Sequence, residues 1–248
     1  MDVSIIIITY NYEQFIEKCL CSCLNQIPSG LDYEIIVVDD GSTDNTAKFL
    51  SAIDNHRVTC YRIRNSGIEK ASNYGFSKSK GKYIVRVDAD DVLFPNYLLR
   101  MKDCLSENFD FIYSDYQVIN QNDEIVKECF LPDFDISEIV SRGDFLATGT
   151  LVKSKVIKNL AGYNTAEKNN GLENYEFILR CIRSGFIGYH VSNTLFGYRR
   201  HSENISDKKR HQIIQNGKKL FKELNLGFFR TNKFHPYDLR VECLWKRF

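Results

Sequence analysis

Short apolar runs and amphipathic stretches take turns through the first hundred residues. Residues 3–8 (VSIIII) form a β-branched run, the pattern of a strand covered on both faces. Residues 12–25 follow with helical spacing, with Phe15, Ile16, Cys19, Leu20, Cys23 and Leu24 on one face. Residues 34–38 (EIIVV) repeat the strand pattern. Residues 44–53 read as a helix, with Ser42, Thr43 or Asp44 available as N-cap. A strand at 57–63, a helix at 67–79, a strand at 82–87 (KYIVRV) and a helix at 95–107 opening on Pro95 complete the series. Strand and helix alternating four times predict an α/β fold: a Rossmann-like, doubly wound, mostly parallel sheet.

The pattern then changes. Residues 109–120 and 124–130 read as a strand pair across Gln121-Asn122-Asp123. A further strand is expected at 148–152 and a short one at 187–191, with helices at 154–160, 173–183 and 208–224. The last twenty residues show no periodicity. There are no internal repeats, low-complexity tracts or linkers, which predicts one domain over 1–206 and a C-terminal extension over 207–248, helical at its start.

The chemistry lies at the strand ends. In an open parallel sheet, ligands bind outside the carboxyl ends of the strands. The first strand ends in Thr9-Tyr10-Asn11, the second in Asp39-Asp40-Gly41-Ser42, and the strand from Lys82 in Asp88-Ala89-Asp90-Asp91. Taken singly, Asp-Asp-Gly-Ser is also a strand-to-turn signal, and Asp88 to Asp91 also an exposed turn with a helix cap. Taken together, five aspartates facing one crevice repel one another unless a cation sits among them. All-oxygen ligands favour Mg²⁺ or Mn²⁺. No G-x-G-x-x-G follows the first strand and no G-x-x-x-x-G-K-[ST] occurs, which speaks against a dinucleotide oxidoreductase and a P-loop enzyme. Phosphate neutralisation would then rest on the metal and on basic side chains such as Lys70, Arg86, Arg199 and Arg200. Arg86 reads equally as a strand residue facing the rim.

Charge adds one asymmetry. The chain carries a net +1, which alone suggests no nucleic-acid partner. Residues 207–248 hold 11 Lys+Arg against 4 Asp+Glu, a net of +7, so the rest carries −6. Such a tail suits something anionic. Its apolar positions, Ile213, Ile214, Leu220, Phe221, Leu224, Phe228, Phe229 and Trp245, interleave with basic ones from Lys208 to Lys246 and Arg247. That pattern fits a helix packed on the domain with a solvated basic face, or peripheral contact with an anionic membrane. Eight cysteines without a C-x-x-C pair read as small buried hydrophobes of a reducing compartment. With no signal-peptide pattern and no apolar run near ~20 residues, a cytoplasmic location is expected, with peripheral placement on the inner membrane face as an option.

These motifs resemble the inverting family 2 glycosyltransferases of the GT-A fold, over roughly residues 3–206. SIIIITYNYEQFIEKCLCSCLNQ is similar to the family's first strand and helix, EIIVVDDGSTDNT to its second segment, and NSGIEKASNYGFSKSKGKYIVRVDADD to the stretch ending in its D-x-D motif. GDFLATGTLVKSKVI, AGYN and GLENYEFILRCIRSGF resemble the acceptor-side segment, a small antiparallel portion of the fold, and YRRHSENIS the closing motif. The resemblance implies a sugar transferred from a nucleotide-diphosphate donor, with UDP favoured, to a saccharide or lipid-linked acceptor in surface polysaccharide or glycoconjugate synthesis. It implies that Thr9 and Tyr10 line the nucleoside, Asp39 contacts the base with Asp40 beside it, Asp88 faces the ribose or the metal, and Asp90 binds Mn²⁺ or Mg²⁺. His201 would complete the metal shell, with Arg199 near the diphosphate and Lys70 beside the acidic loops. Ser72 stands where the family often has Arg, and Asn174 where it usually has the second acid of a Glu-Asp pair.

Asn174 cannot take a proton, so the base falls to the carboxylates left on the same helix: Glu173 as base, with Glu176 three residues on as support. At the helix start, unpaired N–H groups keep Glu173 ionised. Glu173 as a mere helix cap is the structural alternative. Three other functions compete. A sugar-phosphate nucleotidyltransferase would need a Gly-rich first loop, where Tyr10-Asn11-Tyr12 stands. A non-catalytic sugar-nucleotide-binding module, or transfer to an already ionised lipid phosphate that needs no base, would both accommodate Asn174.

Overall fold

The computed structural model of the protein describes residues 1–105, 108–142, 148–166 and 168–231. The end of the helix expected at 95–107, the start of the GDFLATGT segment, and Trp245, Lys246 and Arg247 lie outside the described residues.

Among the described residues nine strands form one sheet in the order β3-β2-β1-β4-β8-β6-β9-β5, with β7 paired to β6. The first half is parallel: β1 (Val3–Thr9), β2 (Tyr33–Asp39), β3 (Val58–Arg62) and β4 (Tyr83–Asp88), joined through α1 (Ile16–Leu24), α2 (Thr46–Ser51) and α3 (Ile68–Lys78). The other half holds β5 (Val92–Leu93), β6 (Phe111–Ile119), β7 (Ile125–Cys129), β8 (Leu151–Lys153) and β9 (Gly188–Arg199), joined mostly antiparallel, with β6 and β9 parallel. This half is larger than the sequence predicts because β9 runs to Arg199. Polar Ser192, Asn193 and Thr194 mask its continuation, and the β6–β9 register shifts at Asp115.

Strand alternation builds two cores. Val3, Ile5 and Ile7 face one side, with Cys19, Leu20 and Cys23 of α1 and Leu98 and Met101 of α4 (Tyr97–Lys102). Ile6, Ile8, Ile36 and Ile84 face the other, beneath α3, α6 (Ser154–Asn159) and α7 (Glu173–Arg183). Each such fully buried side chain contributes roughly 1.5–3 kcal/mol. Cys21, between Cys19 and Cys23, is exposed, and the seven described cysteines are free thiols.

Beyond β9 come α8 (Ile205–Lys208) and α9 (Arg210–Glu223). Ile213, Phe221 and Phe229 are buried in the second core, so the described part of the extension packs on the domain. No helix among the described residues is long and apolar enough to cross a membrane.

The turn into β4 tolerates no side chain. A Cβ at Gly81 would sit 2.5 Å from the Ser4 backbone nitrogen and 2.6 Å from the Tyr83 carbonyl oxygen. Because both are backbone, neither can turn aside. Gly81→Ala is expected to lower stability by about 1–3 kcal/mol in urea unfolding; an unchanged midpoint would contradict this packing.

Candidate active site

The parallel register sets Thr9 beside Asp39 and Ile8 beside Asp88, so β2, β1 and β4 end at one level. A cleft of about 400 Å³ opens there. Thr9, Tyr10, Tyr12 and Asp40 line it from the first two strand exits, and Asp88 and Asp90 from the third. Asn169, Gly171, Glu173 and Asn174 close one side, and Glu203, Asn204, Ser206 and Lys208 another.

Of the five clustered aspartates, three reach the cleft wall. Asp40 accepts the backbone N–H of Ser66 at 2.7 Å and of Gly67 at 2.8 Å, which fixes the start of α3. Asp39 lies behind the wall. Its Oδ1 accepts the Ser42 N–H at 2.8 Å, and Arg62 Nε stands 3.5 Å from Oδ2. Asp91 is fully buried and accepts the Arg199 N–H at 2.8 Å. Burial, then Asp90 and Asp88, push its carboxyl well above the usual range.

Arg86 joins the donor-side acids to α7. It is 5% exposed on β4, and its Nη1 donates to Glu173 Oε1 at 3.0 Å while Nη2 donates to Asp88 Oδ2 at 3.1 Å. Burial opposes its charge, but Asp88, Tyr163 and Glu173 outweigh that and push its pKa up. Burial raises Asp88 to about 6; Arg86 opposes this, while Asp90 and Glu173 add to it. Glu173 is the first residue of α7, and its Oε2 accepts no hydrogen bond among the described residues. Asn174 Oδ1 accepts the Tyr163 hydroxyl at 2.6 Å. Glu176 is committed elsewhere. Arg180 grips it through Nε at 2.7 Å and Nη2 at 2.8 Å, and Glu176 does not line the cleft.

Asp90 Oδ2 lies 3.0 Å from His201 Nε2 and 3.2 Å from Asn204 Nδ2. His201 Nδ1 accepts the Glu203 N–H at 3.2 Å, which places the imidazole proton on Nε2. Among the described residues no three acidic, histidine or cysteine side chains form a preformed metal cage. The donor set nevertheless fits a hard divalent cation. Asp91 Oδ2 is buried without a hydrogen bond, Asp88 Oδ1 meets only the Arg86 guanidinium at 3.1 Å, and the pKa of each carboxyl is raised by burial and by neighbouring acids. A cation would relieve that repulsion.

Residues 4–146 match the family described as Glycosyl transferase family 2. The chain belongs to that family. It is therefore a glycosyltransferase, and its fold is GT-A. The putative glycosyltransferase EpsE of Bacillus subtilis is 28% identical over 225 residues, 86% of this chain and 78% of that protein. The O-antigen biosynthesis glycosyltransferase WbnJ of Escherichia coli is 28% identical over 82% of this chain and 81% of its own length. Hyaluronan synthase of Pasteurella multocida is 28% identical over 95% of this chain, which spans 25% of that protein. Among solved structures, S. aureus TarS 1-349 in complex with UDP-GlcNAc superposes with a TM-score of 0.73 at 18% identity, over 92% of this chain and 67% of that one. The mannosyltransferase PcManGT of Pyrobaculum calidifontis, in complex with GDP-Man and Mn²⁺, gives 0.67 at 17% identity, over 95% and 67%.

Two basic residues expected at the phosphates stand elsewhere in this family 2 transferase. Lys70 is exposed and outside the cleft lining. Arg199 is fully buried beneath the acidic loop, where Nε donates to the Asp90 carbonyl at 2.6 Å and Nη1 to the Asn120 carbonyl at 2.8 Å. The sequence reading missed Tyr12, Asn204 and the Arg86–Glu173 pair. Tyr12 carries a phenol pushed up by burial and by Asp90, Asp88 and Asp91. Asn204 closes the turn of HSEN, where its Oδ1 accepts the His201 N–H at 2.7 Å. Arg199→Met would orphan two carbonyls and is expected to cost roughly 3 kcal/mol in chemical denaturation. Lys70→Ala should leave both stability and nucleotide affinity unchanged by thermal shift. A large nucleotide effect at Lys70 would contradict the cleft boundaries.

Proposed function

We propose that the chain transfers a sugar from a nucleotide-diphosphate donor, with UDP-sugars the first choice, to a hydroxyl of a saccharide or lipid-linked acceptor, inverting the anomeric carbon. The observation that carries this reading is the pairing, in one cleft, of an acid-lined floor at three strand ends with a half-free carboxylate at the start of α7. The names of the relatives support a saccharide acceptor: O-antigen, hyaluronan and chondroitin are all glycans. The two nucleotide sugars held by the solved neighbours support the donor class.

The nucleoside would lie over Thr9 and Tyr10, with Asp39 reached past Thr9. Thr9 Oγ1 is buried without a hydrogen bond, as a group awaiting a polar ligand would be, and Asp39 Oδ2 has only the Arg62 guanidinium at 3.5 Å. Asp90, Asp88 and His201 would hold Mn²⁺ or Mg²⁺, which neutralises the charge of the departing diphosphate. For His201 to ligate through Nε2, its proton must leave that nitrogen, and the Glu203 N–H contact must yield.

Glu173 is the proposed base. Arg86 takes Oε1 and fixes the carboxylate's orientation, so Oε2 is the atom that can accept a proton. The acceptor oxygen bonds to the anomeric carbon, the bond from that carbon to the phosphate oxygen breaks, and the hydroxyl proton passes to Oε2. Arg86 stabilises the ionised form of Glu173 and so lowers its basicity. Its contribution is therefore orientation, and the shared Asp88 moderates its charge. Asn174 serves by holding Tyr163, not by proton transfer. Because Arg180 holds both oxygens of Glu176, that residue anchors α7 to the carbonyls of Leu160 and Gly162, which Arg180 also binds.

Two substitutions test this division of labour. Glu173→Gln should lower kcat by about a hundredfold or more, with donor Kd little changed. Asp90→Asn should abolish Mn²⁺-dependent donor binding in a thermal-shift titration while the fold persists. Near wild-type turnover in Glu173→Gln would remove the base assignment and favour an ionised phosphate acceptor. Equal nucleotide affinity with EDTA and with Mn²⁺ would remove the metal assignment.

A further inference from the structure

A second hollow, of about 530 Å³, adjoins the catalytic cleft. It lies between the loop at 168–170 and the start of α9. Its charged lining is Lys168, Lys208 and Lys209, the rest being His211 and four amide side chains. Among the described residues no carboxylate lines it, whereas Asp40, Asp88, Asp90, Glu173 and Glu203 all line the cleft next door. Asn169 and Lys208 wall both spaces, so the two are neighbours.

The cations are placed by neutral groups. Lys168 donates to the Asn65 backbone and side-chain oxygens, and Lys209 to the Asn169 carbonyl at 3.2 Å. Lys208 alone is offset by an acid, Glu203. The Asn216 amide donates to the Asn170 carbonyl at 2.9 Å and ties α9 to the loop. Two ammonium groups are thus held at the hollow with their charge uncompensated, and each keeps donors in reserve. The first turn of α9 adds the positive end of its dipole.

The polarity of the two spaces decides what each can take. A diphosphate in the acidic cleft needs a metal cation beside it; an anion in the hollow does not. Lys168 precedes Glu173 by five positions, so their Cα atoms lie within about 18 Å of one another. One acceptor molecule can reach both.

We infer that the hollow is an anion subsite of the acceptor, seating a phosphate group of a molecule whose attacking hydroxyl lies at Glu173. The inference rests on the transferase reading above and adds an acceptor class to it: a phosphorylated saccharide or lipid-linked sugar phosphate rather than a neutral glycan.

The test uses inorganic pyrophosphate and glucose 1-phosphate, titrated calorimetrically into the full chain in EDTA so that no metal bridges either to the cleft. Lys168→Gln/Lys209→Gln is compared with Lys218→Gln/Lys222→Gln, an equal charge change elsewhere on α9. The hollow variant should bind roughly tenfold more weakly or worse, and the control like wild type. Equal affinity in all three proteins, or equal loss in both variants, would overturn the subsite. Donor binding with Mn²⁺ is read on the same samples and should be unchanged in the hollow variant, which also shows that it folds. Failure of wild-type donor binding would instead overturn the transferase reading and leave the anion result standing. Flotation on phosphatidylcholine vesicles with and without phosphatidic acid separates the sources. Lys168/Lys209-dependent flotation marks a membrane-borne phosphate; its absence alongside glucose 1-phosphate binding marks a soluble one.

Discussion

The geometry of the site hangs on one buried cation. Arg86 stands on β4 with Ile6 of β1 as its register neighbour, in a strand otherwise packed with Ile84, Val85 and Val87. A guanidinium placed there must find partners, because an unpaired buried charge costs several kcal/mol. It finds Asp88 two residues on along its own strand and Glu173 at the head of α7, 87 positions away in sequence. The pair does not make the protein much more stable, since desolvation offsets most of the Coulomb gain. Its effect is positional. It ties the Asp88 strand end to the head of α7 through one guanidinium.

Arg199 does the same work from below. The acidic turn repels itself, and the pKa of both Asp88 and Asp91 is raised by burial and by neighbouring acids. The Arg199 side chain binds the Asp90 carbonyl, while its backbone N–H binds the Asp91 carboxylate. Its guanidinium lies over the Phe15 ring, 5.1 Å from the centroid, and pairs with Asp123 at 2.6 Å. One arginine thus orients the turn and another couples it to α7. The basic residues that the cleft does offer, Arg86 and Lys208, are already paired with carboxylates.

Much of this was legible in the sequence. The strand-ending aspartates, the helix beginning at Glu173 and the hairpin around Asn122 follow from local periodicity and turn chemistry, which act over a few residues. What was not legible depends on partners far along the chain. Which of five aspartates faces the cleft is set by Ser42, Arg62 and Arg199 contacts that no spacing rule reveals. Glu176 is the exception: Arg180 four residues later is the familiar helical ion-pair spacing, and the signal was present. The reach of β9 was hidden because its central residues are polar and its pairing with β6 is irregular, so the two-residue period fails where the strand is in fact continuous.

The loop before α7 carries the last constraint, because Glu173, the cleft wall and the hollow all depend on it. Asn169 at φ 51° and Gly171 at φ 73° turn the chain sharply into the helix. Glu69, buried in the first turn of α3, accepts the N–H groups of Asn169 at 2.9 Å and Asn170 at 2.8 Å. Burial pushes its carboxyl up, and those two donors work against that. The Ile68 N–H returns a bond to Asn169 Oδ1 at 2.9 Å. On the other side a Cβ at Gly171 would meet Ile213 of α9 at 2.8 Å. The loop is therefore gripped between α3, which also takes its position from Asp40, and α9, which belongs to the basic extension. α3, the cleft wall at Asn169, Glu173 and the described start of the extension thus form one mechanically linked set.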